Sequence, residues 1–205
     1  MTKVSVTSNI DILAMKPLDA AEFLSLIWPQ SLLRNETLEL RAIKRSDKTI
    51  SRRHLKSQAE FLKTARAFGA GWDIYFAVCT RYENGGKKAD CMRVNCVWVD
   101  FDNVKELPSF GKHKPDLMVN SGGGFHVYWL LTSPVFVRTG RWQEIEAINR
   151  GLTKKFNQHV RPVDPSKKFG GDIMTIDITR ILRVPDFYNY KYTPARKVEA
   201  YALQD

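Results

Sequence analysis

The run Asn95-Cys-Val-Trp-Val-Asp-Phe-Asp102 constrains this chain more than any other stretch, because it is the most apolar short segment and it ends in two aspartates one residue apart. Side chains alternate across a strand, so Asp100 and Asp102 project from one face while Val97, Val99 and Phe101 pack on the other. Two like charges at a strand end repel each other. The arrangement becomes favourable when a divalent cation sits between them and a phosphate-bearing substrate, which points toward metal-dependent phosphoryl chemistry. The competing explanation is a solvated strand end whose acids lead into a turn.

Composition narrows the setting. A chain of 205 residues with 43% hydrophobic content can bury a real core, as one domain or one with a small accessory lobe. No apolar run approaches the roughly 20 residues of a membrane span, and the N-terminus lacks the apolar stretch of a signal peptide. The expectation is a soluble, intracellular, cytoplasmic protein with no membrane partner. Lys+Arg 32 against Asp+Glu 22 gives a formal net charge of +10, which suggests a polyanionic partner, most commonly nucleic acid. A basic but merely soluble protein is the alternative. Cys79, Cys91 and Cys96 cannot all pair within one chain and lack C-x-x-C spacing, so free thiols in a reducing compartment are expected, with a zinc knuckle as the rival.

Along the chain, residues 1–16 carry little pattern and read as a loosely held arm ahead of a single domain over 17–205. A helix should begin near Asp19, where Glu22 completes a capping-box spacing, and stop before Pro29. Residues 38–43 alternate as a strand. The following stretch holds Arg41, Lys44, Arg45, Lys48, Arg52, Arg53 and Lys56 against the single acid Asp47, as either a solvated loop or a track for a phosphate backbone. Ser57 with Glu60 caps a second helix with a Phe61, Leu62, Ala65, Phe68 stripe, ending near Gly69 and Gly71. Strands are predicted over 74–79, 95–102, 117–120 and 126–131, with a turn over 81–90, a helix over 141–159 and a further strand over 173–178. The end reads as a polar, aromatic-rich tail. These elements predict an α+β fold, a largely antiparallel sheet with flanking helices.

Two further segments carry chemistry. In Ser121-Gly-Gly-Gly-Phe-His126-Val-Tyr-Trp, three glycines let backbone N–H groups approach an anion, and His126 can add a hydrogen bond or positive charge to a phosphate; an ordinary Gly-rich hairpin with a structural histidine is the alternative. In Gly170-Gly-Asp172-Ile-Met-Thr-Ile-Asp177-Ile-Thr-Arg180-Ile-Leu-Arg183-Val-Pro185, two carboxylates and two guanidinium groups lie close in sequence, followed by Asn189 and Lys191. A third carboxylate would complete a two-metal site and the arginines offer forked hydrogen bonds to phosphate, unless they serve structural ion pairs.

In this order the three segments resemble the archaeo-eukaryotic primase superfamily, especially the primase-polymerases of plasmids, phages and other mobile elements. The last segment is similar to the Arg-x-Leu-Arg-x-Pro-Gly-Thr run of the RepB-like primase group. The resemblance spans roughly residues 38–191. It implies a DNA primase or polymerase that synthesises primers or extends strands on single-stranded template. Asp100, Asp102 and Asp172 would be catalytic ligands of two Mg²⁺ or Mn²⁺ ions. Ser121, Gly122, Gly123, Gly124, His126, Arg180, Arg183 and Lys191 would bind the nucleoside triphosphate. Lys44, Arg45, Lys48, Arg52, Arg53 and Lys56 would follow the template. Asp177 is held in reserve as third ligand: on one strand the two acids would face opposite sides, and Asp172 follows two glycines as in that superfamily. The chain departs where it reads Pro185-Asp186-Phe187 in place of Pro-Gly-Thr. Relatives often continue into a helical priming domain or a helicase, so a fragment of a longer protein with a helicase partner is expected. Rival functions are a metal-dependent nuclease and a replication-initiator or nucleic-acid-binding module without catalysis.

Overall fold

The computed structural model describes residues 15–157, 160–164 and 166–203. Most of the predicted N-terminal arm lies outside these, but its last residues are held: Met15 is buried and Lys16 opens β1 (Lys16–Leu18). The chain continues through α1 (Ala20–Ile27), β2 (Glu36–Lys44), β3 (Ile50–Leu55), α2 (Gln58–Arg66), β4 (Trp72–Ala77) and β5 (Arg81–Tyr82). Then come β6 (Arg93–Asp102), β7 (Val104–Glu106), β8 (Leu117–Asn120), β9 (Gly124–Phe136) and α3 (Trp142–Asn157). The C-terminal part holds β10 (Arg161–Pro162), β11 (Gly170–Gly171), β12 (Ile181–Arg183), β13 (Tyr188–Asn189), β14 (Arg196–Lys197) and β15 (Glu199–Ala202). The fold is α+β, and the strand pairings are antiparallel.

Two sheets carry the architecture. The main sheet runs β1-β15-β8-β9-β6-β11, and the second runs β12-β4-β2-β3 with β5 also on β2. The helices start where their caps dictate. Asp19 accepts from the Glu22 N–H while the Glu22 carboxylate accepts from the Asp19 N–H, a complete capping box, and Ser57 caps α2 through the Glu60 N–H. Phe23, Leu24 and Ile27 on α1 are fully buried, each contributing about 1.5–3 kcal/mol by leaving water. The Phe23 ring meets Phe76 of the second sheet edge-on at 5.7 Å and Tyr128 of the main sheet at 5.5 Å, so α1 ties the sheets together. On the opposite face of the main sheet, Val99, Phe101 and Val127 pack with Phe110 and with Phe156 of α3.

Four sequence expectations need correction. Residues 173–178 do not form a strand: Ile173–Thr175 is a single 3-10 turn, and the strand comes later, as β12 in the second sheet. The cause is local, since the Asp172 carboxylate accepts from the Met174 N–H and the Asp177 carboxylate from the Thr179 N–H, turns that compete with ladder pairing. The aromatic-rich tail is not a tail, because it supplies the β13–β14 hairpin and then β15, which lies between β1 and β8 in the main sheet. The basic stretch is no open loop but the β2–β3 hairpin, and residues 81–90 include β5 and a 3-10 turn at Lys88–Asp90.

Candidate active site

Alternation along β6 puts Trp98, Asp100 and Asp102 on one face, and the cross-strand register sets Asp100 opposite His126 and Trp98 opposite Tyr128 on β9. Trp98 and Tyr128 are buried in the core, so the same face turns from apolar to ionisable toward the end of β6. From the second sheet, Arg183 on β12 lies opposite Tyr75 on β4, and Tyr75 opposite Arg41 on β2. The two sheets border a cleft of about 310 Å³ lined by Asp100, Asp102, Ser121, Gly123, His126, Arg180, Arg183 and Lys191, together with Ile43, Tyr75 and Tyr192. Eight residues picked from three separated segments thus meet in one cavity.

Asp172 does not line this cleft, and is tied to the strand that does by another route. β11 pairs with the end of β6, Gly170 against Asp102 and Gly171 against Phe101, and the Asp172 N–H donates to the Asp100 carbonyl at 2.9 Å. Its carboxylate accepts from the Met174 N–H at 2.9 Å and from Lys168 Nζ at 3.0 Å. Asp177 lies elsewhere, 3.1 Å from Lys88, and Lys88 also bonds Glu146. The preference for Asp172 therefore does not rest on strand parity, which the 3-10 turn removes, but on the β11 ladder. Among the described residues no three His, Cys, Asp or Glu side chains converge in ligand geometry.

The electrostatics are unbalanced. Burial, then the charges of Asp102 and Asp172, push the Asp100 carboxyl up to about 8 despite Arg180 and Arg183. For Asp172, burial would raise the carboxyl, but the Met174 N–H and Lys168 outweigh it and leave it lowered. Burial, Arg183 and Arg180 depress His126 to about 3, so at neutral pH the ring is uncharged and offers a hydrogen bond rather than the positive charge the sequence allowed. His126 Nε2 stands 3.6 Å from Asp100 Oδ1, while His126 Nδ1 and Arg180 Nε are buried with no hydrogen-bond partner among the described residues. An orphaned buried donor costs about 1–3 kcal/mol, which a ligand accepting from it would recover.

The glycine turn is built for close approach. Gly122 has φ +82°, a Cβ at Gly124 would run into the Phe101 carbonyl and one at Gly123 into the Tyr192 ring. Much of its polar capacity is already used: Ser121 Oγ donates to the Gly124 carbonyl at 3.1 Å and the Gly122 N–H to Asn120 Oδ1 at 3.0 Å. Ser121 therefore holds the turn together.

The basic hairpin divides by partner. Arg52 Nε lies 2.9 Å from Glu39, Arg45 is paired with Asp73, Lys44 lies 3.4 Å from Asp47, and Lys56 donates to the Arg34 and Glu36 carbonyls. Exposed Lys48 and Arg53 have no carboxylate partner among the described residues. Among the buried acids that escaped the sequence reading are Asp73 and Glu39. Asp73 forms an ion pair with Arg183, whose Nη1 stands 2.9 Å from Oδ1, and accepts from the Tyr190 N–H at 2.8 Å, holding Arg183 against the Tyr75 ring. Glu39 gathers Arg41, Arg52 and the fully buried Arg81, whose Nη1 also reaches Cys91 Sγ at 2.6 Å. A lone acid in an alternating strand was the only signal available for either. All three cysteines are buried and free.

No helix among the described residues is long and apolar enough to cross a membrane. No family model, curated protein or solved structure matches the chain.

Proposed function

We propose that this chain is a metal-dependent nucleotidyltransferase that starts or extends a nucleic-acid strand on a single-stranded template, with a catalytic core of the archaeo-eukaryotic primase kind, serving replication of a plasmid, phage or mobile element. The observation that supports it most is the meeting of Asp100, Asp102, His126, Arg180 and Arg183 in one cleft, with acids uncompensated on one side and guanidinium groups on the other. Carboxylate oxygens alone suit a hard cation, and Mg²⁺ or Mn²⁺ needs only one or two of them when substrate phosphates and water complete the shell, so Asp100 and Asp102 fit, with Asp172 beside them. Such ions, when bound, lower the pKa of an attacking hydroxyl and neutralise the leaving pyrophosphate.

The chain's own groups would do the rest. Arg180 Nε and His126 Nδ1, both without partners among the described residues, would donate to phosphate oxygens, with Lys191 adding charge at the rim. Arg183, fixed by Asp73, would hold its guanidinium at the cleft without losing side-chain entropy on binding. Tyr75 and Ile43 would exclude water from one wall. Labelled nucleotides supplied with Mn²⁺ on single-stranded DNA, with and without a primer, test the reading. Incorporation supports it; cleavage of the strand would indicate a nuclease, and binding alone a module without catalysis.

A further inference from the structure

A larger cleft of about 740 Å³ adjoins the first, and the two share Asp102, Gly123, Lys191 and Tyr192. Its walls carry Lys105, Lys167, Lys168, Lys191 and Arg196 against the acids Asp102 and Asp164. Lys167 and Lys168 are engaged by Asp164 and Asp172, whereas among the described residues no carboxylate pairs with Lys105 or Lys191. The β13–β14 hairpin lends Lys191 and Tyr192 to both clefts, and its run Tyr188-Asn-Tyr-Lys-Tyr192 places aromatic rings at every second position, with Tyr188 and Tyr190 outside the cleft walls. Tyr188 is 47% exposed, its ring lies 6.2 Å from that of Tyr190, and the Arg196 guanidinium sits 3.9 Å over Tyr192. The hairpin is fastened in place: Asn189 Nδ2 donates to the Ser121 carbonyl at 2.7 Å and Arg196 Nη1 to the Gly122 carbonyl at 2.6 Å.

We infer that this hairpin and the groove beside it form the surface on which a single nucleic-acid strand lies on its way to Asp102, its bases stacking on Tyr188 and Tyr190 and its phosphates following Lys105 and Lys191. A single strand exposes a π-face at every base and a charge at every phosphate, so fixed rings beside unpaired lysines match both. A duplex hides the π-faces. The β2–β3 hairpin lacks rings on its basic residues, and its Arg45 and Arg52 are engaged by Asp73 and Glu39. The direction of the strand rests on the function proposed above; the surface itself does not.

The test is binding alone, in EDTA and without triphosphates, of a fluorescent oligo(dT) of about twelve nucleotides, within the span such sites cover. Tyr188→Ala with Tyr190→Ala should weaken oligo(dT) binding about tenfold or more and blunt duplex binding little, while Lys48→Ala with Arg53→Ala should change oligo(dT) binding less than about threefold. Equal losses for duplex and single strand, or a larger loss from the Lys48/Arg53 variant, would overturn the inference. Photocrosslinking of an iodouracil-substituted oligonucleotide to the unaltered chain avoids any folding defect: adducts should map to residues 188–197, and adducts confined to residues 41–56 would overturn it. A chain that binds through the hairpin but never incorporates nucleotides would sink the catalytic reading and leave this one standing.

Discussion

Glu39 and Asp100 are both carboxylates held between strands, yet their surroundings drive them in opposite directions. Around Glu39, burial is outweighed by Arg81 and Arg41, and the carboxyl is held below its ordinary range. Around Asp100 the nearest charges include two more acids, and the carboxyl rises to about 8. At the first site the carboxylate is answered within the chain, by three guanidinium groups. The second is left with like charges together and orphaned donors opposite, an arrangement that costs stability and is relieved by a cation and an anionic ligand. Abundance of charge therefore says less about function here than whether the charge is already answered: the arginine-rich hairpin is largely structural, and the acid-bearing strand end is the place for chemistry.

The largest expected effect breaks the unanswered side. Asp100→Ala with Asp102→Ala should lower nucleotide incorporation by about a thousandfold or more, while single-stranded DNA binding stays within a few-fold, because metal ligands act on the transition state and cations elsewhere hold the strand. Parallel loss of binding and incorporation would mean that the two regions are not separable. On the answered side, Glu39→Gln should destabilise the fold by about 3–5 kcal/mol in denaturant unfolding, because fully buried Arg81 loses the carboxylate 2.8 Å from its Nε. An effect below about 1 kcal/mol would show that the Thr179 carbonyl, which Arg81 Nη2 also reaches at 2.8 Å, suffices for that guanidinium.

How far this contrast could be read from sequence depends on how local its causes are. The capping box at Asp19, the apolar stripe of α2 and the alternation that aims Asp100 and Asp102 together are each decided within a few residues, and each is found where the pattern puts it. The long partnerships were invisible: Arg81 finds Glu39 across 42 positions and Arg183 finds Asp73 across 110. Very short strands carry too few residues to show a period, which is why the two-residue β11 and the small-residue β15 were missed although one positions Asp172 and the other fills the main sheet. At 173–178 the apolar residues suggested a strand, but two aspartates capping their own downstream N–H groups overrode the pattern.

A smaller effect sharpens the comparison at its boundary. Asp172→Asn should reduce incorporation about a hundredfold, because asparagine keeps an oxygen for the Met174 N–H while removing the charge beside Asp100. Asp177→Asn should stay within about twofold, since Asp177 is answered by Lys88. The reverse ranking, read in a single-turnover incorporation assay, would place the third ligand beyond the 3-10 turn and detach the β11 ladder from the site.

The smallest effect is a pH dependence, and it tests the claim that Asp100 is unanswered without any substrate present. With its folded-state pKa near 8 and an unfolded value near 3.8, Asp100 holds a proton in the folded chain that the unfolded chain has lost, so stability falls as pH rises between those values. His126 works the other way, but its shift from 6.5 to about 3 raises stability only up to about pH 6.5. Between about pH 6.5 and 8, therefore, Asp100 acts without opposition from His126. The side chain keeps 13% of its surface exposed, so the loss across that window should be about 1 kcal/mol and no more than about 2. Urea unfolding in EDTA at several pH values should show this decline in the unaltered chain and a flattened profile in Asp100→Asn, with the variant the more stable at pH 8. A decline of the same slope in both would assign it to another group, and Asp100 would then be as well answered in the folded chain as Glu39.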